Sequence, residues 1–266
     1  MAQVGRVGRV LTRSRQRALT EFGLGLVGVL VLVALWWYGG EVRPFIPPVG
    51  DIAGAAPEFL TDPETWADVW ATLLRVVGSL VAALILGTAA ALSVSRENFL
   101  SRVVDDFIKV ALGIPSVIAA LIALFMFRRS DVGVYVVVTA ITFPYVCLTL
   151  AGGLKAADRR LDELAASYRF SSWQRLRHIY LPHLVPYMFM AVRNEYAHAW
   201  RVVILAELFA VSSGMGARFG RAFDAFMLND VMLWLLMFIF ILGTSEYLVI
   251  VPAEKWLTRW KTVATR

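Results

Sequence analysis

The 266-residue sequence is poor in the side chains from which most catalytic and metal-binding sites are built. Its one cysteine, Cys147, excludes an internal disulfide and argues against a cysteine-ligated metal site. Its three histidines, His178, His183 and His198, do not form an H-E-x-x-H or a similar ligand pattern. The sequence has no G-x-x-x-x-G-K-S/T segment, the P-loop that cradles the phosphates of a nucleotide. These absences predict a chain that is not an enzyme and that holds no cofactor of its own.

Charged residues are also scarce, at 17% of the chain, whereas hydrophobic residues make up 59%. Soluble domains usually have about a quarter charged and about half apolar residues. An apolar block of about 18 residues or more is long enough to span a bilayer as a helix. The sequence therefore predicts an all-α membrane protein with six transmembrane helices, at about 22–38, 73–94, 114–127, 132–154, 184–211 and 231–251.

The first apolar block could instead belong to a signal peptide, because it follows a basic N-terminus. However, no small-x-small cleavage site follows the block. It ends in Trp36, Trp37 and Tyr38, and such an aromatic cluster is typical of the membrane interface. These features favour an uncleaved first transmembrane helix.

The positive charge of the chain, +6 overall, is distributed as the positive-inside rule expects. Six spans place both basic termini and the links 95–109 and 155–178 on one side, which we assign to the cytoplasm. Segment 41–70 is acidic and rich in proline, so we expect it outside the cell and without a long helix. The predicted organisation is a cytoplasmic basic segment 1–20, a transmembrane domain 21–254 with a hairpin at 158–182, and a cytoplasmic tail 255–266.

A polar, amphipathic segment, ELAASYRFSSWQRLRHIYLP at 163–182, interrupts the apolar blocks. Apolar side chains recur at helical spacing in both of its halves, first at Leu161, Leu164, Ala165 and Tyr168, then at Trp173, Leu176 and Tyr180. Between the halves, Ser171 and Gln174 have the spacing of a capping box, which starts a helix. The segment is therefore predicted to be a helical hairpin. Its apolar face needs a cover, which could be its own membrane domain, the lipid surface or a groove on a partner protein.

This hairpin resembles the EAA motif in the integral membrane subunit of binding-protein-dependent ABC importers. Glu163 occupies the position of the motif's Glu and Ala165 that of its second Ala, while Ile179, Leu181 and Pro182 match its closing positions. The pair Ser171 and Trp173 resembles the branch of the family that handles nitrate, sulfonates and taurine. Further similarities lie at 45–52, 72–80, 114–115 and 203–216, so that the resemblance covers about 44–258.

The resemblance implies a type I ABC importer fold in the inner membrane of a bacterial cell, with both termini in the cytoplasm. The hairpin would be the coupling helix, which docks in a cleft of a cytoplasmic ABC ATPase dimer. That ATPase would bind ATP and Mg, and an external solute-binding protein would deliver a small organic or inorganic anion such as a sulfonate or nitrate. The implied coupling residues are Glu163, Leu164, Ala165, Tyr168, Arg169, Ser171, Trp173, Leu181 and Pro182.

Two residues of the hairpin depart from the family pattern. Leu164 stands where the family has its first Ala, and Arg169 stands where it has Gly. Glycine at that turn permits a positive φ, which Arg tolerates less well. The Ser171 cap could carry the turn instead, or the chain could pair with a second, different permease subunit. A homodimer is the default expectation, because most oligomers are symmetric.

Ionisable residues at membrane depth define a candidate translocation path, because such residues are costly unless they pair or face a cavity. The candidates are Arg75, His198, Arg201 and Glu207. Each has an alternative interpretation. Arg75 could anchor at the membrane interface, Glu207 is expected to make a structural hydrogen bond, and pairing inside the bundle could account for the rest.

Two other classes of protein fit the sequence less well than an importer does. An ion-coupled secondary transporter of a small organic solute would need carboxylates at the bilayer midplane and usually internal repeats. Outside the fifth predicted helix, neither is evident in the sequence. An intramembrane enzyme would need a clustered catalytic signature, which the sequence does not offer.

Overall fold

The computed structural model describes residues 23, 25, 27–42, 46–94, 99–127, 130–156, 165 and 167–253. Within these ranges the chain is helical and contains no strand, which confirms the all-α class. The helices are α1 (Val27–Val42), α2 (Val49–Thr61), α3 (Pro63–Val94), α4 (Phe99–Gly113), α5 (Ser116–Phe127), α6 (Asp131–Lys155), α7 (Ser172–Ala210), α8 (Met215–Asp224) and α9 (Leu228–Ala253). The contacts divide the chain into two compact units, Met1–Phe59 and Leu60–Arg266.

The first unit contains α1 and most of α2. Nearly all of the apolar side chains of α1 are exposed. Trp36 Nε1 donates a hydrogen bond to the carbonyl of Pro47 at 3.0 Å, which ties the end of α1 to the residues before α2. The Pro48 carbonyl accepts from the Asp51 and Ile52 N–H groups and starts α2.

Segment 41–70 corrects one prediction, since its prolines do not prevent helices. Pro63 is the first residue of the 32-residue helix α3, a position where a missing N–H costs nothing. The Asp62 carboxylate caps this helix, accepting from the Glu64 N–H at 3.0 Å and from the Thr65 hydroxyl at 3.3 Å. Pro57 lies inside α2, which ends four residues later at Thr61. The prolines therefore separate helices in this segment and do not exclude them.

The core of the second unit lies between α3, α6 and α7. Small residues let the three helices approach closely. A Cβ at Gly87 of α3 would lie 2.6 Å from Val146 Cγ1, and one at Gly153 of α6 would lie 2.5 Å from the ring of Tyr187. The buried apolar cluster at these contacts consists of Ala83, Ala91, Ile108, Val146, Cys147, Leu150, Leu184 and Ala191.

Three helices are long and apolar enough to cross a membrane among the described residues, namely α3, α6 and α9. A fourth span is added if α7 and α8, which meet at a bend of 54°, count together. These four match the second, fourth, sixth and fifth predicted spans. Where the first and third were predicted, the structure has the shorter helices α1 and α5. The 12 residues of α5 extend about 18 Å, well short of a hydrocarbon core of about 30 Å. The charged link at 95–109 contains a helix of its own, α4.

Candidate functional site

The hairpin is described from Ala165 onward, with the exception of residue 166. Glu163 and Leu164, the motif positions before it, lie outside the described residues. Ala165 is fully buried, whereas Tyr168 and Trp173 leave 71% and 64% of their surface exposed. Tyr168 and Trp173 are therefore exposed aromatic residues beside the turn between the two arms, whereas Ala165 is a small buried residue before it.

The turn itself contains a residue in the left-handed region. Arg169 has φ 51°, and the Phe170 N–H donates to the carbonyl of Ala165 at 2.9 Å. A six-to-one hydrogen bond around a left-handed residue is the Schellman end of a helix. The expectation that the family's Gly position needs a positive φ is thus confirmed, although the residue here is Arg. That conformation costs a non-glycine residue about 1–2 kcal/mol.

The predicted capping box follows directly after the turn and is confirmed. The Ser171 hydroxyl accepts from the Gln174 N–H at 3.3 Å, and the Gln174 side-chain oxygen accepts from the Ser171 N–H at 2.8 Å. Ser171 has φ −65° and ψ 161°, the extended backbone of an N-cap. The cap starts the second arm of the hairpin but does not remove the positive φ of Arg169. The Schellman end and the capping box therefore follow each other along the chain.

The second arm of the hairpin is continuous with a membrane helix. Helix α7 runs from Ser172 to Ala210 and includes a π-helical turn at Leu176–Tyr180. In that turn the Leu181 N–H donates to the Leu176 carbonyl, and the wider winding ends where Pro182 has no N–H to give. Leu184 is the first fully buried side chain of α7 and belongs to the apolar core. Ser172 lies 12 positions before Leu184, which places the tip about 18 Å beyond the core along the helix axis.

The charge of the hairpin is entirely positive among its described residues, which contain no Asp or Glu between 167 and 182. Arg169, Arg177 and His178 are exposed, and Arg175 is half-buried. The rings of Phe170 and His178 pack at 6.4 Å across the turn. The described surface is therefore cationic and aromatic, the chemistry that complements an acidic groove.

At its other end, α7 enters a network of paired charges that we call the polar clamp, formed by Asp68, Thr72, Arg75, Asp131, Glu207 and Arg218 around the loop 211–214. Asp68, Arg75 and Glu207 are buried, whereas Asp131 is exposed. Arg75 is 4% exposed, and its guanidinium bonds four acceptors. These are Glu207 Oε1 at 2.6 Å, Asp131 Oδ1 at 2.5 Å, and the carbonyl and hydroxyl of Ser213, both at 2.8 Å. One side chain of α3 thus joins α6, α7 and the loop.

Glu207 is the fully buried carboxylate of the polar clamp. Besides Arg75, its Oε2 lies 2.9 Å from the Thr72 hydroxyl and accepts from the Gly216 N–H at 2.9 Å. The Thr72 oxygen in turn accepts from the Met215 N–H at 2.9 Å. Every oxygen of this carboxylate is therefore satisfied, which a buried charge requires. The hydrogen bonds expected for Glu207 are present.

Asp68 anchors the start of α8. Its Oδ1 accepts from the Gly214 N–H at 2.6 Å, and its Oδ2 accepts from Arg218 Nε. Arg218 also reaches Glu64 at 2.8 Å. Asp68, Thr72 and Arg75 follow each other at i, i+4 and i+7, so they form one face of α3. That spacing could have identified the face from the sequence, but Asp68, Asp131 and Arg218 were not singled out.

Gly214 is the position in the loop where only glycine fits. Its φ is +101°, and a Cβ there would lie 2.5 Å from both Arg75 Nη1 and Glu207 Oε1. Close passage of the loop backbone between these two side chains therefore requires glycine at this position. Because the polar clamp closes over this backbone, neither Arg75 nor Glu207 is accessible to a solute in this conformation.

The other two candidate path residues, His198 and Arg201, lie in the part of α7 that belongs to the predicted span 184–211. His198 Nδ1 is 2.9 Å from Glu195 Oε2, and the ring of Tyr145 from α6 meets the imidazole edge-on at 5.2 Å. Arg201 is exposed and donates its Nε–H to the Ala197 carbonyl at 3.1 Å. The structure therefore separates the four candidates into a buried pair, Arg75 and Glu207, and a more accessible pair, His198 and Arg201.

Three relatives with a designated transport role cover 79–98% of the chain. The riboflavin transport system permease protein RibX of Chloroflexus aurantiacus is 25% identical over 267 residues, covering 98% of this chain and 99% of the relative. The taurine transport system permease protein TauC of Escherichia coli is 22% identical over 244 residues, covering 88% of each. The nitrate import permease protein NrtB of Synechocystis sp. is 22% identical over 221 residues, covering 79% and 80%.

Solved structures share the fold. The crystal structure of an amino acid ABC transporter with histidines matches at a TM-score of 0.60 and 15% identity, covering 77% of this chain and 96% of that one. An inward-facing MetNI methionine ABC transporter matches at 0.58 and 15% identity, covering 72% and 98%. The sequence profile of the binding-protein-dependent transport system inner membrane component family matches residues 83–251. With a hairpin, a helical bundle and a profile that agree, the chain belongs to this family of multi-pass ABC transporter permease subunits.

Proposed function

We propose that this chain is the permease subunit of an ATP-driven importer and that its hairpin couples it to a cytoplasmic ABC ATPase dimer. One observation carries the proposal. The second arm of the hairpin is the beginning of α7, so one continuous helix joins an exposed cationic tip to the centre of the membrane bundle. A groove that closes on the tip would move α7 directly.

The polar clamp supplies the other half of this coupling. Glu207 of α7 is bonded to Arg75 of α3, and Arg75 is bonded to Asp131 at the start of α6. The Arg75–Glu207 pair is buried and therefore costly to break, so α3 and α7 are expected to move as one body when the tip is displaced, with α6 joined to them through the more exposed Asp131. Alternating access would then arise between this body and a second permease copy. Of the coupling residues, Glu163 and Leu164 stay predictions from the motif.

We also propose a membrane orientation and a set of partners for the chain. The hairpin, the N-terminal segment and the tail would be cytoplasmic, and 41–70 and 212–230 would face an external solute-binding protein. The second permease subunit is taken as another copy of this chain, and the ATPase supplies the ATP and Mg site. The bacterial inner membrane is the expected location.

A small anion is the solute class that we favour, on two grounds. Two of the relatives, at 22% identity, are designated a taurine and a nitrate permease, whereas RibX, at 25%, is designated a riboflavin permease. In addition, Arg201 lies well inside the predicted span 184–211, is exposed, and among the described residues bonds only the Ala197 carbonyl of its own helix. An arginine at that depth is costly against lipid, so it is expected to face a hydrated path. A sulfonate or nitrate passing beside His198 and Arg201 would find a fixed positive charge.

Arg201→Gln and Arg201→Lys test the solute class by uptake of taurine and nitrate in a reconstituted system. We expect Arg201→Gln to lower uptake of the transported anion about tenfold and Arg201→Lys to keep most of it, because the positive charge remains. Equal uptake by wild type and both variants would remove Arg201 from the path.

Coupling to the ATPase is tested by co-purification. The tagged full chain is expressed with the ATPase subunit of the same transport system and isolated in detergent, and the ATPase recovered per permease is measured. We expect a stable complex for the wild-type chain and a loss of about tenfold in affinity for Trp173→Ala, since a 64% exposed tryptophan at a docking tip is a typical interface anchor. A wild-type chain that binds no ATPase contradicts the proposal.

A further inference from the structure

Two residues other than glycine have a positive φ among the described residues, Arg169 and Phe226. Both follow the same local pattern. The N–H of the next residue donates to the carbonyl four residues before the left-handed one, from Phe170 to Ala165 and from Met227 to Ala222, each at 2.9 Å. Glycine is the usual residue at such a helix end. At both positions the chain carries a large side chain in a conformation that glycine would adopt without strain.

The Arg169 side chain is not used to hold the hairpin together. It is exposed, and no described residue accepts a hydrogen bond from its guanidinium. Tyr168 and Trp173, one and four residues away in the sequence, are exposed aromatic residues, and the described hairpin residues include no acidic one to balance the charge. A strained cation for which the described residues offer no partner is a candidate to bind a partner on another molecule.

Two classes of surface could meet a cationic, aromatic tip, an acidic protein groove or the headgroups of anionic lipids. The direction of the helix favours the protein. An amphipathic helix that binds lipid lies in the plane of the membrane. The second arm instead continues α7 along its own axis, and the tip is about 18 Å beyond Leu184, the first fully buried residue of α7. The tip therefore extends past the apolar core along the axis of α7, as expected for a helix that enters a groove on another protein.

We propose that Arg169 is the residue by which this permease recognises its own ATPase, through a carboxylate at the rim of the groove that receives the hairpin. The proposal rests on the coupling function proposed above. Arg169 is exposed, has a left-handed backbone and precedes the Ser171 N-cap by two residues, so it lies in the turn between the two arms. Arginine suits this position because its planar fork can bind a carboxylate through two hydrogen bonds.

The test compares three variants of the full chain in nanodiscs of neutral lipid, with the ATPase subunit of the same transport system as the binding probe. Arg169→Gly is expected to raise the midpoint of thermal unfolding by about 2–4 °C, because the backbone strain disappears. It is also expected to weaken the ATPase affinity about tenfold and to reduce the salt dependence of binding. Arg169→Lys keeps the charge and is expected to stay within about threefold of the wild-type affinity.

Phe226→Gly is the matched control, because it relieves the same strain at the other positive-φ position. It is expected to raise the unfolding midpoint similarly and to leave the ATPase affinity unchanged. The proposal is overturned if Arg169→Gly binds as tightly as the wild type, or if Arg169→Lys is as weak as Arg169→Gly. It is also overturned if Arg169→Gly changes only the binding of vesicles that contain phosphatidylglycerol. These failures differ from that of the coupling function, in which the wild-type chain itself binds no ATPase.

Discussion

The two ends of α7 have opposite electrostatics. At the polar clamp, every described charge is paired, Glu207 is fully buried and the loop over it requires glycine at 214. At the hairpin, Arg169 and Arg177 are exposed, and the described residues 167–182 include no acid. The difference indicates a division of labour within one helix. The clamp stabilises the chain by internal pairs, whereas the tip keeps its charges available for a partner.

Removal of the Glu207 carboxylate from the polar clamp is expected to have the largest effect on stability. Glu207→Ala leaves the 4% exposed Arg75 with Asp131 alone as its counter-charge and removes the acceptor of the Gly216 N–H. Loss of one partner of a buried pair typically costs about 3–5 kcal/mol, so we expect a large fall in thermal stability or in the yield of folded protein. Thermal unfolding followed by size-exclusion chromatography measures it. Glu64→Gln, which removes an exposed partner of Arg218, is the control and should change stability by less than about 1 kcal/mol. Similar losses in both variants would show that burial of the charge is not what matters.

A methyl group in the clamp loop is expected to cost somewhat less. Gly214→Ala combines a φ of +101° with contacts at 2.5 Å to Arg75 and Glu207. Strain and overpacking together give about 2–4 kcal/mol of destabilisation. Gly152→Ala on α6 is the control, because nothing lies within 4 Å of its added Cβ. We expect that control to be neutral or slightly stabilising, since alanine is the better helix former. A Gly214→Ala protein as stable as the Gly152→Ala protein contradicts the described loop.

The capping box at the tip is the smallest of the three effects. Ser171→Ala removes the hydroxyl that accepts from the Gln174 N–H, a loss of about 1 kcal/mol confined to the start of α7. Hydrogen exchange of residues 174–178 should become about fivefold faster, since each 1.4 kcal/mol corresponds to a factor of ten. Ser172→Ala, one residue further on, is the control and should leave exchange unchanged. No difference between the two serines would exclude the cap. Exchange in the clamp should not change in either variant.

The features of the tip that could be predicted are local in sequence. Ser171 and Gln174 are three residues apart, so spacing alone indicates their reciprocal hydrogen bonds. The positive φ at Arg169 was expected from the glycine of the family motif. The three apolar helices α3, α6 and α9 were recognisable because bilayer thickness fixes their length.

The polar clamp was only partly predictable, because its pairs are distant in sequence. Arg75 and Glu207 were singled out as membrane-depth charges, but their pairing across 132 positions depends on how α3 packs against α7. The pairing of Asp131 and Arg218 could not be identified from the sequence, because each looks like an ordinary charged residue near the start of a helix. The prediction that segment 41–70 contains no long helix is wrong for a different reason. A proline can end a helix, but Pro63, with Asp62 before it, starts one.

We propose that ATP drives the movement of this chain through an ATPase that binds the hairpin. The most direct measurement is solute uptake into proteoliposomes that contain the chain, its ATPase and its binding protein, with ATP and ion gradients supplied separately. We expect uptake with ATP and no ion gradient, and loss of that uptake when Trp173→Ala weakens ATPase binding. Uptake that persists without ATP and follows an ion gradient would exclude ATP-driven movement and favour an ion-coupled transporter.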